Sequence, residues 1–334
     1  MSPDTFRCYL VEKHPDGTVA GQVTERPLGE LPPGDALVRV HYSSLNYKDA
    51  LAATGHPGVA KQLPLVPGVD VVGTVVESGV YELVEGDRVL VTGFGMGEER
   101  WGGYAEYARV PLEWVLPLPG DLAPRESMIY GTAGLTAALS VEALLHHGVE
   151  PRSGDVVVTG ASGGVGSIAV AVLAKLGYRV AAVTGKPSAH ELLRRLGAAE
   201  ILDRRAVDDR SGKPMLSGRW AGAVDTTGGN ILATLLKATR LHGCVTACGL
   251  VAGTELPLTV FPFILRGVTL AGIEAAWCSL AVRDRAWRRL AGPWKPDRLE
   301  ELAEEIELDA LPEKIEAILA GRITGRVVVR LSDE

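Results

Sequence analysis

The chain has 334 residues, enough for two domains with sizeable cores. Hydrophobic residues make up 46% and charged residues 22%, and a formal charge of −7 leaves no general basic surface, which argues against nucleic acid as a main partner. Its four cysteines (Cys8, Cys244, Cys248, Cys278) include no C-x-x-C pair, no signal-peptide core opens it, and no run of about 18 apolar residues appears, so a reduced, cytoplasmic protein with no membrane partner is expected.

Up to about residue 125, short apolar runs such as DALVRVHYSSL, VDVVGTVVES, DRVLVTG and YAEYARVP alternate with Pro and Gly. That spacing predicts a closed or partly closed antiparallel barrel. From there strands and helices alternate: VVV and RVAAV flank an Ala-rich helical stretch, followed by SAHELLRRLGA (helix), EILD (strand), WAGAVDTTG (strand), NILATLLKATR (helix) and GCVTACGL (strand). This is the pattern of an α/β fold with a doubly wound parallel sheet. Two helices are predicted over 297–307 and 311–320, and a last strand, GRVVVRL, is expected to return to the barrel. The expected division is 1–124, a barrel-like catalytic domain; 125–295, a nucleotide-binding domain; and 296–334, a returning tail.

The stretch Val156 to Gly185 carries the most chemistry. Ala161, Gly163 and Gly166 occupy the three positions of the dinucleotide fingerprint G-x-G-x-x-G, with Ser162, Gly164 and Val165 between them. Small residues there let the backbone turn sharply, approach a pyrophosphate and pack the next helix against its strand. That helix would point its N-terminal N–H groups at the phosphates.

The end of the second strand selects the cofactor. An enzyme that binds NAD in this fold places Asp or Glu about 20 residues beyond the glycines, on the adenosine ribose. Here Thr184, Gly185 and Lys186 stand instead, and Arg204 follows the next apolar run. A carboxylate would repel a 2′-phosphate, whereas a hydroxyl, a backbone N–H and cations would receive it, so NADP(H) is the expected cofactor.

The segments SSLNYKDALA, PLVPGVDVVGTV, WGGYAEYARV, MIYGTAGLTAALSV, VVTGASGGVG, PFILRGV and the late GRVVV occur in this order along the whole chain. Together they resemble the acrylyl-CoA reductase branch of the zinc-free quinone oxidoreductase-like enzymes, within the medium-chain dehydrogenase/reductase superfamily. The resemblance implies a GroES-like catalytic domain, a Rossmann domain, a homodimer, and NADPH-dependent reduction of the carbon–carbon double bond of acryloyl-CoA to propanoyl-CoA. TGASGGVG also matches the opening turn of short-chain dehydrogenases. Those enzymes need a Tyr-x-x-x-Lys pair after it, and the only such spacing, Tyr9 and Lys13, lies far upstream.

Zinc-dependent relatives carry a Cys in the first barrel segment and a Gly-His-Glu motif. Here those places read Asn46-Tyr47 and Gly68-Val69-Asp70, and none of the seven histidines shows ligand spacing, so no metal is expected. By resemblance Tyr47 contacts the nicotinamide side of the cofactor. Asn46 and Asp49 are candidate catalytic residues that fix the loop or a water, or else cap the helix KDALAATG. Leu250, at the carboxyl end of VTACGL, and Ile264 in FPFILRG are candidate pocket residues, or core. Arg326 could meet the cofactor or a CoA phosphate, or be a solvated strand-end residue, and the Arg-rich stretch Val282 to Gly292 poses the same choice. A quinone or general enone reductase stays open, as does a cofactor-binding, non-catalytic protein of the crystallin type.

Overall fold

A computed structural model describes residues 3–333. In chain order its elements are β1 (Thr5–Lys13), β2 (Val19–Pro27), β3 (Ala36–Ser44), α1 (Tyr47–Ala53), β4 (Asp70–Ser78), β5 (Arg88–Thr92), β6 (Tyr107–Val110), β7 (Leu116–Pro117) and α2 (Pro124–His146). Next come β8 (Val156–Val158), α3 (Gly164–Lys175), β9 (Val180–Val183), α4 (His190–Arg195), β10 (Ala198–Leu202), β11 (Trp220–Asp225), α5 (Gly229–Ala238), β12 (Thr239–Ala247), α6 (Phe261–Arg266) and β13 (Thr269–Gly272). The last are α7 (Leu280–Ala291), β14 (Ala303–Glu307), α8 (Leu311–Leu319) and β15 (Arg326–Arg330).

Two compact units result, one of Met1–Thr132, Ala276–Arg288 and Ala303–Glu334, the other of Ala133–Ala275 and Arg289–Leu302. The first holds a two-stranded sheet, β1-β2, and a seven-stranded sheet ordered β14-β15-β3-β4-β5-β7, with β6 also on β3. Strands β3 and β4 are buried along most of their length, and Val38, Val40, Val71, Val75, Val89 and Val91 share one core. As anticipated, β15 returns to this sheet, antiparallel to β3 with Val328 opposite Ser44.

The second unit is a six-stranded, all-parallel sheet ordered β10-β9-β8-β11-β12-β13. Its centre, β8, is the fully buried run Val156-Val157-Val158, as expected for a strand covered on both faces. Strand order reverses between β8 and β11, and ligands bind in such sheets outside the carboxyl ends of the strands there.

Two readings need correction. Residues 303–307 form strand β14, not helix. The Glu-rich AEEIE has a helical composition, but its pairing with β15, Ile306 opposite Val329, overrides that local preference. The division between units falls inside α2 and sends 276–288 to the first unit, because Gly131 breaks the helix at φ 50° and ψ −153° and Arg283 is bound within the first unit. The long helix α2 is apolar enough by length and composition to cross a membrane, but 72% of its apolar stretch is buried inside the protein. A buried core helix meets the same description.

Candidate active site

In the first unit the site is built at the start of α1. Asn46 is the N-cap, and Asp49 at the third helical position reaches back, its Oδ2 accepting from Asn46 N–H (2.9 Å) and Asn46 Nδ2 (3.1 Å). Asp49 Oδ1 accepts from Val69 N–H (2.9 Å), and its side chain is wholly buried. Burial, and then the nearby Asp70 carboxylate, push the Asp49 carboxyl up to about 7. Asp49 therefore cannot touch a substrate; it caps and anchors the helix, which corrects its placement among catalytic residues. Tyr47, by contrast, is 44% exposed at the first helical position. Lys48, next to it, is tied to Glu98 at 3.1 Å.

Behind Asn46 lies a buried network that sequence reasoning missed. Asp70, at the start of β4, accepts from Ser44 Oγ (2.6 Å), Asn46 Nδ2 (2.8 Å), and both the N–H (2.9 Å) and hydroxyl (2.6 Å) of Thr132. A Cβ at Gly131 would stand 2.5 Å from Asp70 Oδ2 and 2.6 Å from Ser44 Oγ, and its φ is positive, so only glycine fits. Arg326 is 3% exposed. Its guanidinium donates to Ile129 O (2.9 Å), Leu45 O (3.1 Å), Asn46 Oδ1 (3.2 Å) and Ser44 Oγ (2.8 Å). It is thus a buried scaffold cation, not a phosphate ligand, and its assignment to cofactor binding is corrected. The signals were present: a carboxylate opening an apolar strand in PGVDVVG, and Gly-Thr interrupting the helical MIYGTAGL.

The Arg-rich helix α7 is likewise committed. Arg283 is 1% exposed, donates to Thr92 O (2.6 Å), Thr92 Oγ1 (2.8 Å) and Ala276 O (2.6 Å), and lies 4.0 Å from the Phe94 ring centroid. Arg288 pairs with Asp284, and in the second unit Arg289 pairs with Glu142.

In the second unit the fingerprint turn runs from β8 to α3. Gly160 adopts φ 55°, Gly163 N–H donates to Gly160 O (2.8 Å), and a Cβ at Gly166 would strike the Gly160 carbonyl. Gly164, Val165 and Gly166 form the first turn of α3, whose N–H groups have no intrahelical partners and are available to an anion. Ala161 and Ser162 are buried, Ser162 accepting from Thr184 Oγ1 (2.9 Å), which itself accepts from Lys186 N–H (3.1 Å). Thr184 therefore shapes the end of β9, its hydroxyl held between Ser162 Oγ and the Lys186 N–H. Gly185 is exposed, with the exposed Arg204 guanidinium lying over it; a Cβ there would be 2.5 Å from Arg204 Nε and 2.8 Å from Cζ. Lys186 is partly buried, which lowers its pKa. This end of β9 presents two cations and no carboxylate, the donor set that a 2′-phosphate requires.

A further element was missed here. Asp225, ending β11, is buried and accepts from Thr159 Oγ1 (2.6 Å), Thr227 Oγ1 (2.8 Å) and Gly228 N–H (2.6 Å). It joins the carboxyl ends of β8 and β11 and holds the Gly228-Gly229 turn, both residues at positive φ. Leu250 and Ile264 are 62% and 68% exposed, so neither is core. Among the described residues no three His, Cys, Asp or Glu side chains stand close enough to hold a metal. The His146 and His147 rings lie 5.1 Å apart, but no third His, Cys, Asp or Glu joins them to hold a metal among the described residues.

Residues 32–120 match the alcohol dehydrogenase GroES-like domain and 164–288 the family termed zinc-binding dehydrogenase. The acrylyl-CoA reductase AcuI of Ruegeria pomeroyi is 44% identical over 325 residues, covering 97% of this chain and 98% of that one. The chain belongs to the acrylyl-CoA reductase and quinone oxidoreductase-like family of medium-chain dehydrogenases/reductases. Two solved members share its fold closely. The Salmonella enterica yhdH oxidoreductase in complex with NADP is 45% identical with a TM-score of 0.94, covering 98% and 100% of the two chains. The Bacillus subtilis protein yhfP with NAD bound is 43% identical with a TM-score of 0.96 over the same shares, and is named "Putative quinone oxidoreductase".

Proposed function

We propose that this protein is an NADPH-dependent, metal-independent reductase of α,β-unsaturated CoA thioesters that converts acryloyl-CoA to propanoyl-CoA. The observation that carries this reading is the full-length similarity to an acrylyl-CoA reductase. Family structures contain either NADP or NAD, and the end of β9 favours the former: Arg204 and Lys186 are cations, and no Asp or Glu occupies 184–186.

The reduction adds a hydride to the β-carbon and a proton to the α-carbon. NADPH supplies the hydride when bound. The first turn of α3, with Ser162, Gly163 and Gly164, would receive the pyrophosphate, and Lys186 with Arg204 the 2′-phosphate. Tyr47 would meet the nicotinamide side and orient the alkene, and Leu250 and Ile264 would supply apolar contacts. No side chain need act as a nucleophile, so a catalytic segment with neither Cys nor His suits the reaction. A cytoplasmic homodimer fits this reading, with β13 forming the edge of the six-stranded sheet beside the exposed Val260, Phe261 and Leu265.

The name of the Bacillus subtilis relative supports a second reading, reduction of quinones. Steady-state rates with acryloyl-CoA, crotonoyl-CoA and a simple quinone, each with NADPH and NADH, separate the two. The first reading expects acryloyl-CoA with NADPH to have the highest kcat/KM; a quinone in that place would overturn it.

A further inference from the structure

We infer that Asp70 and Arg326 are positioning residues of the reductase, acting through Asn46 on Tyr47. This rests on the reading of Tyr47 given above. Asn46 connects the two to Tyr47. Its Oδ1 faces the Arg326 guanidinium at 3.2 Å, and its Nδ2 faces Asp70 at 2.8 Å and Asp49 at 3.1 Å. A flipped amide would set NH2 against a guanidinium and a carbonyl against two carboxylates, so the charges on both sides dictate one orientation. The same residue is the N-cap of α1, and its N–H is held by Asp49. Tyr47 is the next residue, so the frame around Asn46 sets the direction from which its side chain leaves the helix.

The network is more elaborate than a cap needs. An N-cap is satisfied by one short polar side chain, as Asp49 and Asn46 already provide between them. Asp70 adds four further donors from three segments, and requires a glycine at 131 to do so. Arg326 reaches four acceptors at once, two of them backbone carbonyls and two of them the side chains that also contact Asp70. Ser44 Oγ is the shared atom: it donates to Asp70 and accepts from Arg326. Such a frame holds a group far more tightly than a solvated cap would, which is what orienting a reacting partner demands.

The test uses Arg326→Lys, which keeps the charge but cannot span four acceptors, and Asp70→Asn, which keeps the shape. Each should lower kcat at least about tenfold and leave KM for NADPH within about twofold, assayed where the variant is shown folded by near-ultraviolet circular dichroism. Should either fail to fold, Ser44→Ala removes only the shared hydroxyl and should show the same split, about threefold in kcat. Arg125→Gln, which breaks the Arg125–Glu305 pair in the same unit, is the stability control and should keep kcat.

The decisive arm is a double-mutant cycle. If the network acts through Tyr47, Arg326→Lys should cost little further kcat in a Tyr47→Phe background. Full additivity, or wild-type kcat in folded Arg326→Lys, overturns the inference while leaving the role of Tyr47 intact. Wild-type kcat in Tyr47→Phe alone overturns both.

Discussion

Gly185→Ala is the substitution whose effect can be worked out most completely. Gly185 has no positive φ, so alanine can adopt its backbone without strain. The added Cβ would lie 2.5 Å from Arg204 Nε, 2.8 Å from Cζ and 2.9 Å from Nη2, so the guanidinium must retreat by about an ångström to reach ordinary contact. Arg204 is the mobile end of an exposed side chain, so the move costs little stability and the thermal midpoint should stay within about 2 °C. A charge-assisted contact to phosphate is worth about 1.5–3 kcal/mol, and solvent exposure puts this one at the lower end. Partial loss predicts a rise in KM for NADPH of about three- to tenfold, with NADH kinetics unchanged. Gly185→Asp would add a carboxylate where none stands and should lower the NADPH preference by a further factor of about ten. The assay is kcat/KM for both cofactors at fixed acyl substrate. An equal fall for NADPH and NADH, or an unchanged ratio in Gly185→Ala, would show that Arg204 does not read the 2′-phosphate. Gly166→Ala is the contrasting case: its Cβ meets backbone, which cannot retreat, so both cofactors and stability should suffer together.

Lys186→Ala should raise KM for NADPH while leaving NADH nearly untouched; a matching loss for NADH would assign Lys186 a structural role only. Tyr47→Phe should lower kcat by about ten- to a hundredfold with a folded protein, read by steady-state kinetics. Asp49 has a folded-state pKa of about 7, raised from 3.8, so its contribution favours folding most below about pH 4 and is lost as pH rises towards 7. The stability difference between wild type and Asp49→Asn, from urea unfolding, should therefore shift against wild type between about pH 4 and 7 and then level off; the opposite slope contradicts the buried-carboxyl reading. Dialysis against a chelator should leave activity intact, and stoichiometric zinc whose removal abolishes turnover would refute metal independence.

What could be read from the sequence was what is local in it. The βαβ unit keeps strand, glycine turn, helix and second strand within 30 residues, and the absence of a carboxylate at 184–186 is visible without coordinates. The Asn46 network is the opposite case. It joins residues 44, 46, 70, 132 and 326, with Ser44 and Arg326 separated by 282 positions, and only the pairing of β15 with β3 brings them together. Arg283 and Arg326 looked like surface cations because arginine is rarely buried. Both are instead surrounded by carbonyl and hydroxyl acceptors contributed by distant segments. Strand β14 was misread for a related reason: Glu favours helix locally, and the hydrogen bonds that make it a strand come from a partner more than 20 residues away.

Following the hydride shows whether the thioester is the acceptor. The protein is incubated with acryloyl-CoA and NADPH carrying deuterium at C4 of the nicotinamide, in ordinary water, and the thioester product is analysed by mass spectrometry and NMR. Propanoyl-CoA is expected to carry one deuterium at the β-carbon and a solvent proton at the α-carbon, and to form at a rate matching NADPH oxidation. Oxidation of NADPH by a quinone, with acryloyl-CoA recovered unchanged and unlabelled, would contradict that expectation.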